Sequence, residues 1–414
     1  MTQSPVYPGF RWFVMFAVLF STAASTAVMI APSPLIGIAA KSLGLTPGAA
    51  TGTIMGLWNI FTASSCLLTG FLIDRLGFIK VVVGGTLLMI VPALFYTAVG
   101  NHLPAVLALR VLQAIGAGPT TASIGVLAAT WFPPHQRSFV AGLYGIATCS
   151  GVAVGFMTSP SVYAATHSWL AAMSWMALAP TIALAFILAV PFGPQPPAIS
   201  HTESEHPEAE NDFRLSLKIS VTWILCATAF VSCWFFTGFN DLTPGYFAID
   251  PPTGIGYGPL VAGRLMTLYQ AALIVGSLLI GYLFNIVLKE NPRLTVTIAF
   301  LVIGISAPLI MLHGIYASVT FLTLVLLVIG FFSAWVMPTC ITFIALQYPT
   351  HIVGRVTGLL MGFALFAGIP GIIVGATALH ATHNYHMSII IVSTAAISGA
   401  IIAQFIKPIK RLIG

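Results

Sequence analysis

Apolar positions run through this chain in long unbroken blocks, with no helical or strand alternation to set one face against another. Residues 12–40, 42–73, 81–109, 111–136, 219–240 and 265–288 contain no Asp, Glu, Lys or Arg. Each block can supply one bilayer-crossing helix, for which about 20 apolar residues suffice. Residues 138–202, 294–354 and 356–406 are also uncharged and are long enough for two helices each. Their breaks are expected near Ala165-Thr-His167-Ser, at His313-Gly-Ile-Tyr and at His380-Ala-Thr-His-Asn-Tyr-His386. The pattern predicts twelve helices, with cores at 10–32, 48–72, 79–99, 103–131, 138–164, 169–191, 217–240, 259–287, 294–313, 316–346, 353–379 and 386–406.

Composition agrees with that class. The chain of 414 residues is 58% hydrophobic and 6% charged, against about 25% charged in a soluble domain. An all-α polytopic membrane protein is the expectation, with the lipid bilayer as its surroundings. A cleavable leader is not expected, because the first apolar run is too long and ends in no small-residue cleavage pattern. Cys66, Cys149, Cys226, Cys233 and Cys340 all lie in apolar runs, which argues against a disulfide framework or a zinc site. The net charge of +6 does not imply nucleic acid, since the charges are scattered singly between apolar runs and form no basic face.

Lys and Arg set the orientation. On the twelve-helix map Arg11, Arg75, Lys80, Arg137, Arg214, Lys218, Lys289, Arg293, Arg355, Lys407, Lys410 and Arg411 fall on one side, and Lys41 alone falls in an opposite loop. Both termini are therefore expected in the cytoplasm, the protein lying in the cytoplasmic (inner) membrane. Pro191-Phe-Gly-Pro-Gln-Pro-Pro197 ends the sixth helix, and His201–Asp212 holds five of the nine acids. Residues 193–216 read as a solvated, flexible linker between an N-terminal bundle at 1–192 and a C-terminal bundle at 217–414. An internal repeat supports the split: Phe132-Pro-Pro-His135 and Gly142 recur as Tyr348-Pro-Thr-His351 and Gly358, at a constant offset of 216. A fainter echo of the first half's charged hinge is Gly281-Tyr-Leu-Phe-Asn285.

That hinge is Gly70-Phe-Leu-Ile-Asp74-Arg75-Leu-Gly77-Phe-Ile-Lys80, between the second and third helices. Its pattern G-x-L-x-D-R-x-G-x-x-K resembles the signature loop of the major facilitator superfamily. Gly70 and Gly77 would let helix ends approach closely, Asp74 would cap or pair with a helix end, and Arg75 and Lys80 would mark the cytoplasmic face. Arg110-Val-Leu-Gln113-Ala-Ile-Gly116-Ala-Gly118, 22 residues before Phe132-Pro133, is similar to that superfamily's fourth-helix motif. The resemblance covers the whole chain. It implies twelve transmembrane helices in two pseudo-symmetric six-helix bundles, and secondary active transport by alternating access.

Candidate solute and coupling residues follow from what is unusual inside a membrane. Arg110 lies roughly 30 Å from the cytoplasmic end of its helix at ~1.5 Å per residue, and an intramembrane Arg needs a partner or a wet cavity. Two readings of it stand: hydrogen bonding to carbonyls of neighbouring helices, and proton coupling or attraction of an anion. Arg264 lies about 25 Å from the cytoplasmic edge by the same rise. It either pairs with Asp241, expected at the end of the seventh helix, or faces an anionic substrate. Some carboxylate transporters of the superfamily carry a substrate-contacting Arg on the eighth helix, and this chain is similar to them in that placement alone. Trp58, Asn59, Gln113, Tyr144, Trp234, Tyr269, Gln270 and Trp335 are the remaining cavity candidates, each also readable as a packing residue.

The fifth helix carries Gly145, Gly151, Gly155-Phe156 and Ser159-Pro160. It lacks the G-P then G-G pattern of the superfamily's drug antiporters, and close helix packing explains its small residues. Asp241–Pro259 is Gly- and Pro-rich and reads as a gate or a rigid outer loop. No metal cluster, phosphate loop or catalytic constellation emerges, so neither enzyme activity, cofactor nor direct ATP drive is expected. The leading expectation is a monomeric, proton-linked importer of a small organic anion. The runner-up is an exporter of drugs, siderophores or other amphiphiles, and a non-transporting membrane receptor is a remote third.

Overall fold

A computed structural model describes residues 8–195 and 207–407. Its twelve candidate membrane spans are Arg11–Leu43, Pro47–Leu76, Phe78–Val99, Leu103–Ala128, Gly142–Thr166, Trp169–Phe192, Ser220–Ala248, Gly258–Ile286, Pro292–Leu309, Val319–Gln347, Ile352–Thr382 and Tyr385–Ala403, here spans 1 to 12. Every predicted helix core is matched by one span, and no strand occurs among the described residues. The spans also carry large apolar side chains on their outside, such as Leu67 (76% exposed), Phe71 (71%) and Leu278 (63%). Surfaces of that kind suit acyl chains, not water.

Two expectations change. The seventh helix was expected to stop at Asp241, but it continues to Ala248 through Pro244. Asp241 thus lies inside span 7, and the Gly/Pro-rich connection shortens to the residues after Ala248. The linker is helical over Pro207–Ser216, so its C-terminal part is ordered where a flexible segment was expected; the acids Glu203 and Glu205 lie outside the described residues.

The chain divides into two compact units. One comprises Met1–Ser200, Phe247–Asp250 and Gly256–Thr267; the other comprises His201–Tyr246, Pro251–Ile255 and Leu268–Gly414. In the first unit, small residues let the backbones touch. A Cβ on Gly85 of span 3 would lie 2.7 Å from the Gly116 carbonyl of span 4, and one on Gly155 of span 5 would lie 2.6 Å from the Ala27 carbonyl of span 1. Hydroxyls then bond across the seams: Ser65 to the Ile115 carbonyl (2.6 Å), Thr62 to Ala114 (3.1 Å) and Thr26 to Thr148 (3.1 Å). This is close packing by small residues and polar side chains, as membranes favour. In the second unit, a Cβ on Gly330 would press on the Tyr269 carbonyl, and Ser388 bonds the Gly375 carbonyl at 2.7 Å.

The 216-residue repeat extends further than the residues that revealed it. Helices Pro134–Thr166 and Thr350–Thr382 are both 33 residues long and end on a left-handed His, His167 and His383, with identical φ of 54° and ψ of 19°. The residues that follow, Ser168 and Asn384, each cap the next helix through a side-chain oxygen.

Candidate functional site

The polar residues of the spans gather in each unit separately. In the first unit, Arg110 of span 4 is 1% exposed. Its Nη1 donates to the Val28 carbonyl at 2.8 Å, its Nη2 to the Met29 carbonyl, and its Nε to the Ile54 carbonyl at 3.3 Å. Trp58 covers the guanidinium face, 4.2 Å from carbon to ring centroid. Between carbonyls and a π face, this cation sits in a partly negative cage that makes a buried charge tolerable. Of the two readings of Arg110, these bonds belong to the first.

The rest of the fourth-helix motif faces neighbouring helices too. Gln113 Oε1 accepts from the Tyr96 hydroxyl at 2.9 Å, and Gln113 Nε2 donates to the Met89 carbonyl at 3.3 Å. Gly116 meets Gly85, and a Cβ on Gly118 would strike Ser65 and the Cys66 amide. Asn59, half-buried, turns its amide back to the Met55 carbonyl at 3.1 Å. Tyr144 is half-buried on span 5.

Arg264, six residues into span 8 and assigned to the first unit, differs. It is exposed, and it makes no hydrogen bond or ion pair among the described residues. Its helix neighbours hold the segment in place: a Cβ on Gly263 would strike the Phe156 carbonyl, and Thr267 donates to the Ala153 carbonyl at 3.3 Å. The backbone that carries the guanidinium is thus fixed while its tip is open.

In the second unit, spans 7 and 8 share a buried polar group. Asn240 Oδ1 accepts from Gln270 Nε2, and Asn240 Nδ2 donates to the Phe236 carbonyl at 2.7 Å. Asp241 is 3% exposed beside it. Tyr269 is fully buried, its ring 5.2 Å from Phe239. Gln270 Oε1, Trp234 Nε1 and Trp335 Nε1 are buried and lack a hydrogen-bond partner among the described residues. Polar atoms left so in an apolar interior are costly unless something else satisfies them. Trp335 stands in an aromatic cluster with Phe331 and Phe332. Sequence reasoning missed Asn240 and Tyr96; Asn240 was signalled by its position next to the single acid of span 7.

The hinge keeps its residues at the surface. Asp74, Arg75 and Lys80 are exposed, and Asp74 makes no hydrogen bond or ion pair among the described residues. The capping and pairing expected of it is therefore not seen. Nor does either glycine permit a close approach, because a Cβ on Gly70 or Gly77 would meet nothing within 4 Å. Gly77 is needed for another reason: its φ of 87° and ψ of 151° join Leu76 directly to Phe78, a conformation almost confined to glycine.

A family model described as Major Facilitator Superfamily matches residues 14–371. The chain belongs to the major facilitator superfamily. Its twelve spans and hinge are therefore those of a transporter, and secondary transport of a small molecule is the family's activity. Among solved structures, the chain is similar to one titled "Crystal structure of D-xylose-proton symporter", at a TM-score of 0.75 and 15% identity, covering 97% of this chain and 98% of that one. At that identity the likeness is one of fold. No curated protein matches the chain. Other members of the major facilitator superfamily thus frame its architecture, while its own polar residues must be read for its solute.

Proposed function

We propose that this transporter imports a small organic anion together with protons across the cytoplasmic membrane, with Arg264 as the anion's anchor. The observation that carries the reading is the open guanidinium of Arg264 on a packed helix. Arg110 is taken up by backbone carbonyls, so of the two arginines placed away from the cytoplasmic ends of the spans Arg264 is the one left to attract a carboxylate. A guanidinium offers two parallel donors to a carboxylate, and the pair strengthens as water is excluded. Asp241, the buried acid of span 7, is the proton carrier in this scheme.

Uptake into proteoliposomes tests the scheme. Labelled monocarboxylates and dicarboxylates should accumulate when the outside is acid. Accumulation of neutral sugars or expulsion of cationic drugs, with carboxylates ignored, would overturn it. The one-sided Lys/Arg partition supports cytoplasmic termini and linker; labelling of a cysteine at Ser204 by an impermeant reagent in intact cells would refute that orientation.

A further inference from the structure

Span 1 is broken where two prolines follow its first helix. Helix Arg11–Ile30 stops, a 3-10 turn forms at Ser33–Leu35, and a second helix runs over Ile36–Leu43. Pro32 has no N–H, so the Val28 carbonyl loses its helical partner four residues on. The Leu35 N–H, which would serve Ala31, donates to the Pro32 carbonyl at 3.0 Å instead. Span 2 has its own irregularity, a π turn at Thr51–Met55, where the Gly56 N–H reaches back to the Thr51 carbonyl. Backbone groups that leave the helical ladder inside a membrane must find partners elsewhere.

For the Val28 and Ala31 carbonyls those partners come from other helices. Arg110 donates to the Val28 and Met29 carbonyls at the span 1 break and to the Ile54 carbonyl in the span 2 π turn. Ser159 of span 5 donates to the Ala31 carbonyl at 2.7 Å. We propose that Arg110 is a positioning residue: it supplies from span 4 the donor that Pro32 withdraws from span 1, and it ties that break to the π turn of span 2. One planar, permanently charged fork reaches both breaks at once, which a single ammonium or amide does not do. Trp58 and Asn59 lie within a turn of the π turn, so their placement depends on the clamp.

Hydrogen–deuterium exchange of the full-length protein tests this without any solute, so the outcome is separate from the anion assignment. In Arg110→Gln, amides of residues 24–36 and 49–58 should both exchange about tenfold faster, the scale set by losing one charged hydrogen bond. Pro32→Ala returns an N–H to position 32, so Val28 regains a partner within its own helix. In the Arg110→Gln, Pro32→Ala double variant, residues 24–36 should return toward wild-type exchange while residues 49–58 stay fast. Unchanged exchange in Arg110→Gln, or a double variant that restores both segments or neither, would overturn the proposal. Should Arg110→Gln not accumulate, folded yield replaces exchange. A gain in yield on adding Pro32→Ala supports the clamp, and no gain overturns it.

Discussion

The guanidinium carbon of Arg110 lies 4.2 Å from the ring centroid of Trp58, and both side chains are buried. The indole closes one face of a cation whose edge is taken by carbonyls, so neither side of the pair is simply filler. A cation–π contact in a desolvated site is worth about 2 kcal/mol. Trp58→Phe keeps a π face and should lower the melting temperature in detergent slightly. Trp58→Leu keeps bulk without the face and should lower it distinctly more. Equal losses in the two variants would show that the indole contributes packing alone.

At the hinge, Gly77→Ala should be costly and Gly70→Ala should not. The first forces an L residue into a conformation that costs about 1–3 kcal/mol; the second adds a methyl where nothing lies within 4 Å. Thermal stability of the two variants, measured side by side, checks the contrast.

Within the first unit, Gly116→Ala should destabilise by about 1–3 kcal/mol through overpacking. Its Cβ would press on the Gly85 carbonyl and lie 2.9 Å from the Leu88 Cβ. Gly142→Ala is the control, since its Cβ meets nothing within 4 Å. A ranking by chemical or thermal unfolding with Gly116→Ala as stable as Gly142→Ala would contradict the packing described for spans 3 and 4.

Asp241→Asn keeps shape and removes the titratable carboxyl. If Asp241 carries the proton, the variant should still exchange labelled solute for unlabelled solute, while uptake driven by a pH gradient falls at least about tenfold, as expected for loss of an essential acid–base group. Gradient-driven uptake at wild-type level in this variant would place the proton elsewhere.

Much of this architecture was legible in uncharged runs alone, because a bilayer demands whole apolar helices and leaves few alternatives. The breaks at His167, His313 and His383 followed from polar residues between apolar blocks. The end of span 7 was missed because Asp241, Pro244 and Gly245 read as terminators by local propensity, whereas Tyr246 and Phe247 are buried and carry the helix on to Ala248. Arg110 was visible as a costly residue, but its partners were not. They are backbone carbonyls just before Pro32 in span 1 and inside a π turn of span 2 that no residue type announces. Arg264 and Asp241 share a level in the one-dimensional map; the buried state of one and the open state of the other depend on packing that spacing does not encode.

The central claim is that Arg264 binds the carboxylate of an imported anion, and ligand-induced thermal shift on purified protein tests it most directly. Binding to the native state alone raises apparent stability by mass action, so carboxylates, sugars, amino acids and cationic drugs can be ranked on the wild type and then on Arg264→Lys and Arg264→Ala. The account predicts stabilisation by a carboxylate, weakened in Arg264→Lys and lost in Arg264→Ala, where truncating a charged contact costs about 2–5 kcal/mol. A carboxylate shift that survives Arg264→Ala at wild-type concentration dependence, or stabilisation by an uncharged solute alone, would contradict it.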